Sequence, residues 1–495
     1  MFDLHAGGGW EDDAKLSCRA MRRTIPLLVS LLAACGAPAP DDGLPPQRRH
    51  VLLVSVDTLR ADHLGANGQP LDTTPFLDEL LERGFNFTGA IAPAPRTTPT
   101  LASLLTGAYP HTTQVRSLTD ALSPEVTTLP ERLLERGFRT IAVVSNHMLI
   151  PERELDRGFE VYDFGDDTRG AAATTDAALA QADAVTAEER VFLWVHYIDP
   201  HVPYYPPPEL ARAFDPEYSG RYELHFGSRP GGIGAHAYPE DLPKPQAVYR
   251  NPLPDTVNAH VRRLYAADIR HTDDEIRRLV DGLRSRLGPD WLIVFTSDHG
   301  ESLGEHDYFY DHGDYVYDAS LRVPLGIVPA AGDPLAGAGR VDAWVSLVDV
   351  APTLAELLLV PDSADWHTQI EGRSLTPYLR GEAPPSAPVF AISGHSYFPH
   401  LVQRRVRFNP AGRFRAVIDG RHKLIWTPGA APGQRFELYD LVADPHELND
   451  LSAREPQLRA VLQRRLGAWW RSTEGRGPAP SAEDRERLRQ LGYIE

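Results

Sequence analysis

"HVLLVSVD", residues 50–57, is an unbroken apolar run that ends on a carboxylate. A short run of Val and Leu with no polar alternation reads as a strand buried on both faces, the kind found in parallel sheets. The same grammar returns in "RTIAVVSNH" (139–147), "VFLWVHYIDPH" (191–201) and "WLIVFTSDHG" (291–300). Amphipathic segments lie between these runs. "TPFLDELLERG" (74–84) has Pro75 at its start and Gly84 past its end, "LPERLLERG" (129–137) repeats that pattern, and 255–288 reads as one long helix. Alternation of this kind predicts an α/β fold with a mostly parallel central sheet flanked by helices.

Polar residues fall where the strands end. Asp57 closes the first, Ser145-Asn146-His147 the second, Asp199 and His201 the third, and Asp298-His299 the fourth. In open α/β sheets ligands bind beyond the carboxyl ends of the strands, so these side chains are expected at one edge. Any one of them alone reads as a cap or turn residue. Four strands delivering carboxylates, imidazoles and an amide to one edge read as a site. Asp57, Asp298 and His299 offer two carboxylates and an imidazole to a divalent ion. That mixture suits Zn or Mn, whereas carboxylates alone lean to Mg or Ca.

"TTPTLASLLTG" (97–107) supplies a hydroxyl. Pro99 suits the first helical position, which makes Thr98 the N-cap and leaves Thr97 just outside the helix. A helix start is an anion site, and a hydroxyl beside it and a cation is a candidate nucleophile.

The 42% hydrophobic content of the 495 residues allows a sizeable core, and the formal net charge of −18 disfavours nucleic acid as a partner. "MRRTIPLLVSLLAAC" (21–35) has two Arg, an apolar stretch too short to span a bilayer, and small residues before Cys35. It resembles a bacterial lipoprotein signal, with Cys35 lipidated and an exported, periplasmic or surface location implied. Residues 1–20 read as an extension that precedes the natural start at Met21, and 36–48 as a Pro-rich linker. Cys18 and Cys35 are the two cysteines, so the folded body has no Cys nucleophile and no formylglycine made from Cys. The catalytic domain is expected over 49–385. Segment 202–254, rich in Pro, Tyr and Gly, reads as a long loop over a cleft. Residues 386–495 read as a smaller α+β subdomain of short strands, with a hairpin turn at Asp419-Gly420, a helix over 456–470 and a tail helix over 481–492.

These stretches are similar to the sulfatase family, within the alkaline phosphatase superfamily. "HVLLVSVDTLRADHLG", "TTPTLASLLTGAYP", "FLWVHYIDPHVPY", "TSDHGESLGEH", "LRVPLGIV", "VSLVDVAPTLAELL", "EGRSLTPYLRG" and "ELYDLVADPHELNDL" carry the resemblance in order along 49–455. It implies an alkaline-phosphatase-like fold and metal-dependent ester hydrolysis. Asp57, Asp298 and His299 match metal ligands, Thr97 the nucleophile, His201 a contact to the ester oxygens or leaving group, and His147 a second active-site histidine. Asn146, Arg96 and Thr98 are expected at the substrate.

Departures matter as much. Thr97 stands where the family has the Cys or Ser that becomes formylglycine, Leu101 where it has Arg, with Arg96 as a stand-in, and Ser145 where it has Lys. Thr97-Thr98-Pro99 also resembles the Thr-x-Pro of nucleotide pyrophosphatase/phosphodiesterases, in which unmodified Thr attacks. Phosphate or phosphonate esters are therefore the mechanistic expectation, with sulfate esters the alternative by family. Small-molecule, glycan or lipid esters all fit. A phosphoglycerol or phosphoethanolamine transferase and a non-catalytic binding protein are further alternatives. One ion is expected; a second, held by Asp199, His201 and His312, is the alternative, with His312 otherwise a proton donor.

Overall fold

The computed structural model describes residues 50–472 except 187, 221, 225–252, 331, 332, 334, 336, 362, 394–413, 428–432 and 434. The expected signal segment, the linker, the tail helix and most of the 202–254 loop lie outside the described residues.

The central sheet is built from β1 (His50–Val56), β2 (Phe85–Ile91), β3 (Phe138–Ser145), β4 (Val161–Gly165), β5 (Arg190–Tyr197) and β6 (Trp291–Ser297). A small hairpin, β7 (Ser302–Leu303) with β8 (Phe309–Asp311), stands off it, and β9 (Arg322–Val323), β10 (Leu325–Val328) and β11 (Gly339–Ser346) complete it. The order is β11-β2-β10-β6-β1-β5-β3-β4, with β9 on β2. Pairings β1–β5, β1–β6, β3–β5, β3–β4 and β2–β11 are parallel, while β10 runs antiparallel to both its neighbours. The sheet is mostly parallel, as the apolar runs imply.

Alternation of side chains explains why those runs are continuous. Val51 and Leu53 of β1 enter one core cluster, Leu52, Val54 and Val56 the other; β6 divides the same way between Leu292 and Val294 and Ile293 and Phe295. Each such fully buried side chain contributes roughly 1.5–3 kcal/mol. The helix Asp255–Leu287 covers one face and carries a buried acid, Asp273, which accepts the N–H groups of Phe76 and Leu77 at 2.9 and 2.8 Å. It thereby caps the helix Pro75–Leu81, whose own N-cap Thr74 makes no side-chain cap bond.

The C-terminal sheet is antiparallel, β12 (Val389–Ile392), β13 (Arg415–Asp419), β14 (His422–Trp426) and β15 (Phe436–Asp440). The helix Pro456–Ser472 packs on it through Leu462 and Leu466 against Val417, Leu424 and Leu438. Asp419 pairs with His422, so the hairpin loop is Gly420-Arg421, one residue later than the sequence suggests; Gly420 supplies the positive φ of 58°. Lys423 of β14 is fully buried, its ammonium 2.8 Å from Asp318 Oδ1 and 2.7 Å from Glu447 Oε1. That triad fastens the C-terminal sheet to the short helix Asp318–Leu321. This helix in turn meets the site, because Ser320 O accepts the N–H of Gly300 at 3.0 Å.

Candidate metal and nucleophile site

Asp57 leaves β1 with its N–H on Tyr197 O at 2.9 Å, and Asp298 leaves the adjacent β6. Asp298 Oδ1 accepts the N–H of His299 at 2.8 Å and of Thr58 at 3.2 Å. His299 Nδ1 donates to Gly300 O at 3.0 Å, which leaves Nε2 as a lone pair. Around that nitrogen lie Asp298 Oδ2 at 3.3 Å, Asp57 Oδ1 at 3.7 Å and Thr97 Oγ1 at 3.3 Å. All three ligand residues are fully buried, and both of those carboxylate oxygens lack a hydrogen-bond partner.

Burying unpartnered carboxylate oxygens is costly unless a cation meets them. The three ligand atoms lie within 4.8 Å of one another, so the residues present fit a divalent ion. Electrostatics agree. Burial, with Asp57's charge, pushes Asp298 up to about 8. Burial acts the same way on Asp57, but His201, His196 and His299 outweigh it and hold that carboxyl below its usual range. Burial pushes His299 down to about 4, which favours the neutral form that a metal ligand requires.

Thr97 is the first residue of the helix Thr97–Thr106, and Arg96 is its N-cap. The expected Thr98 cap is thus corrected: the Thr98 hydroxyl donates to Leu118 O at 3.0 Å instead, fixing the 116–120 loop beside the helix start. Leu101 is fully buried in the core, so the family's Arg has no polar room at that position. Ser145, in place of the family's Lys, is fully buried among hydroxyl and guanidinium partners, Thr174 Oγ1 at 2.6 Å and Arg169 Nε at 2.8 Å.

His201 keeps its Nδ1 on Val202 O at 2.5 Å. Desolvation lowers its pKa, yet Asp57, Glu301 and Asp167 together raise it above the ordinary histidine value. His312 stands between histidines, its ring centroid 4.3 Å from that of His299 and 5.0 Å from that of His201.

The alternative set, Asp199, His201 and His312, is not among the groups of described residues whose ligand atoms converge on one point. Asp199 Oδ2 instead accepts the N–H of Ala171 at 2.6 Å, capping the helix Ala171–Ala182. Among the described residues, Asp57, Asp298 and His299 form the group of three that could hold an ion. Asn146, expected at the substrate, holds Asp57 here: Nδ2 donates to Asp57 Oδ2 at 2.6 Å and Oδ1 accepts the Met148 N–H at 2.7 Å. His147 is half-buried with its N–H on Asp167 Oδ1 at 2.5 Å, outside the ligand triad.

Sequence reasoning missed Glu301 and His196. Glu301 is fully buried, meets His312 Nδ1 at 3.1 Å and accepts from Tyr204 OH at 3.3 Å, and burial pushes it up to about 8. Tyr204 belongs to the 202–254 segment, which therefore does reach the site. His196 lies in β5 with Nδ1 2.9 Å from Ser55 Oγ and Nε2 3.7 Å from Asp57 Oδ2. A His inside the run "VFLWVHYI" was the available signal.

An alkaline-phosphatase-like sheet with a buried threonine helix start and a buried carboxylate–imidazole cluster at its strand ends is the architecture of an ester hydrolase. Residues 49–360 match the family model described as Sulfatase, and 304–469 match that of the N-sulphoglucosamine sulphohydrolase C-terminal region. The chain belongs to the sulfatase family. Arylsulfatase K of Bos taurus is 25% identical over 488 residues, covering 89% of this chain and 87% of that protein. Iduronate 2-sulfatase of Mus musculus is 26% identical over 412 residues, covering 67% and 74%. The phosphonate monoester hydrolase of Agrobacterium radiobacter superposes with a TM-score of 0.65 at 20% identity over 86% of this chain and 96% of that one, which shows a shared fold.

Proposed function

We propose that this chain hydrolyses phosphate or phosphonate esters, using Thr97 as nucleophile beside one divalent ion held by Asp57, Asp298 and His299. The observation that carries this reading is the placement of Thr97 Oγ1 3.3 Å from His299 Nε2, the atom on which both orphan carboxylate oxygens converge. When bound, a divalent ion there supplies positive charge that stabilises the ionised hydroxyl and the phosphoryl oxygens. Thr97 Oγ, its proton lost to solvent, attacks phosphorus, and the bond from phosphorus to the leaving oxygen breaks. The leaving oxygen takes a proton from His201 Nε2, the ring nitrogen other than the Nδ1 that Val202 O holds. A water then attacks the phosphoryl-Thr97 and gives a proton to His201; the bond from phosphorus to Oγ breaks, and Thr97 regains its proton from solvent. The net reaction is ester plus water to alcohol plus phosphate or phosphonate.

The choice of phosphorus rests on what this chain lacks: a formylglycine precursor at 97, an Arg at 101 and a Lys at 145. Sulfate ester hydrolysis is the second reading, favoured by family membership and by the two sulfatase relatives. Purified protein with Mn²⁺ or Zn²⁺ should be assayed on an aryl phosphonate monoester, a bis-aryl phosphate and an aryl sulfate. Higher kcat/KM on the phosphorus esters is expected, and preference for the aryl sulfate overturns the assignment. Export and lipid anchoring through Cys35 belong to the same proposal. Cys35→Ser should leave the membrane fraction of a Gram-negative host, and unchanged membrane association contradicts the anchor.

A further inference from the structure

We infer that Arg96 grips the anionic oxygens of the substrate's reacting group, and that Gly313 and Asp314 hold it in place. The inference rests on the ester-hydrolase reading of the same site. Arg96 is 7% exposed and immediately precedes the nucleophile, as the N-cap of the ten-residue helix that starts at Thr97. Its Nε–H is buried without a hydrogen-bond partner, and its ion pair is a loose one, Nη2 to Asp314 Oδ1 at 3.9 Å. A guanidinium offers five donors in a planar fork and cannot shed its charge, so leaving it buried and underused is costly unless a ligand completes it.

The surroundings are shaped around that fork. Gly313 has φ of 94°, and a Cβ built there would stand 2.4 Å from Arg96 Cζ and 2.6 Å from Nε and Nη2. Only a residue without a side chain lets the guanidinium lie over the 312–314 backbone, next to His312. Arg96's charge also reaches His299, where it helps keep the imidazole neutral, and Asp311. An orphan guanidinium N–H thus stands at the N-cap of the helix that opens with Thr97, and a tetrahedral oxyanion is the ligand whose acceptors match those donors.

The test uses the full chain in a Thr97→Ala background with Mn²⁺ added, titrated calorimetrically with inorganic phosphate and, separately, inorganic sulfate. Arg96→Gln should weaken anion binding by about 10- to 100-fold, the scale of a charge-assisted hydrogen-bond pair. Gly313→Ala, which displaces the guanidinium but keeps its charge, should weaken binding similarly. Melting curves of each variant separate binding from folding. Unchanged anion affinity in a folded Arg96→Gln protein, or no anion binding even with Arg96 present, overturns the inference. Arg96-dependent binding of sulfate but not phosphate supports it while moving the proposed function to the sulfate reading.

Discussion

Lys423→Met should destabilise the protein by about 3–5 kcal/mol at pH 8.5, because it leaves the buried carboxylates of Asp318 and Glu447 facing each other without their cation. The structure also fixes how that cost changes with pH. Burial already pushes Glu447 up to about 7 even with Lys423 beside it, and losing the ammonium pushes it higher. A protonated Glu447 needs no counter-charge, so the penalty should shrink on acidification and be smallest near pH 5.5. Urea unfolding of parent and variant at both pH values, compared through midpoint and slope, gives the numbers. Removing all three charges together, with Asp318→Asn and Glu447→Gln added, should recover most of the loss. Function should suffer with stability: the helix Asp318–Leu321 braces Gly300, where a Cβ would lie 2.1 Å from Ala319 O, and His299 is the preceding residue. A loss under about 1 kcal/mol at pH 8.5, or an equal loss at both pH values, would refute the claim that this triad is a working ion cluster.

Restoring the family's residue should fail. Leu101→Arg places an unpaired guanidinium at a fully buried core position, and a loss of several kcal/mol, seen as a lowered unfolding midpoint or insolubility, is expected without gain of sulfatase activity. Chelation should lower both the melting temperature and activity, with Mn²⁺ or Zn²⁺ returning them; an ion at one hundred times its Kd adds about 2.7 kcal/mol. For esters with poor leaving groups, kcat/KM should fall as pH rises through the raised pKa of His201, since the protonated form is the donor. His201→Gln should flatten that limb.

Legibility followed the physics of each segment. Strands β1, β5 and β6 could be read because burial on both faces demands continuous apolar runs, and the gathering of Asp57, Asp298 and His299 because they hang from two of their ends. Strand β2, "FNFTGAI", is just as buried, but its Asn, Thr and Gly break any apolar run, so nothing local declares it. Thr98 obeys cap preference by sequence, yet Leu118 O claims its hydroxyl, and Asp199 looks like a ligand until a helix N-terminus claims its carboxylate. Glu301 and His196 became visible only through contacts between segments: Glu301 needs the hairpin that brings His312 back, and His196 needs β5 to lie beside β1.

The central claim is that Thr97 carries the transferred group. Rapid quench of the metal-loaded chain during turnover of an aryl phosphonate or bis-aryl phosphate ester, followed by peptide mass spectrometry, reads this directly. A phosphoryl or phosphonyl adduct on Thr97, absent in Thr97→Ala and in unreacted protein, is the predicted result. An adduct on another residue, or full turnover by the Thr97→Ala protein, would contradict the account.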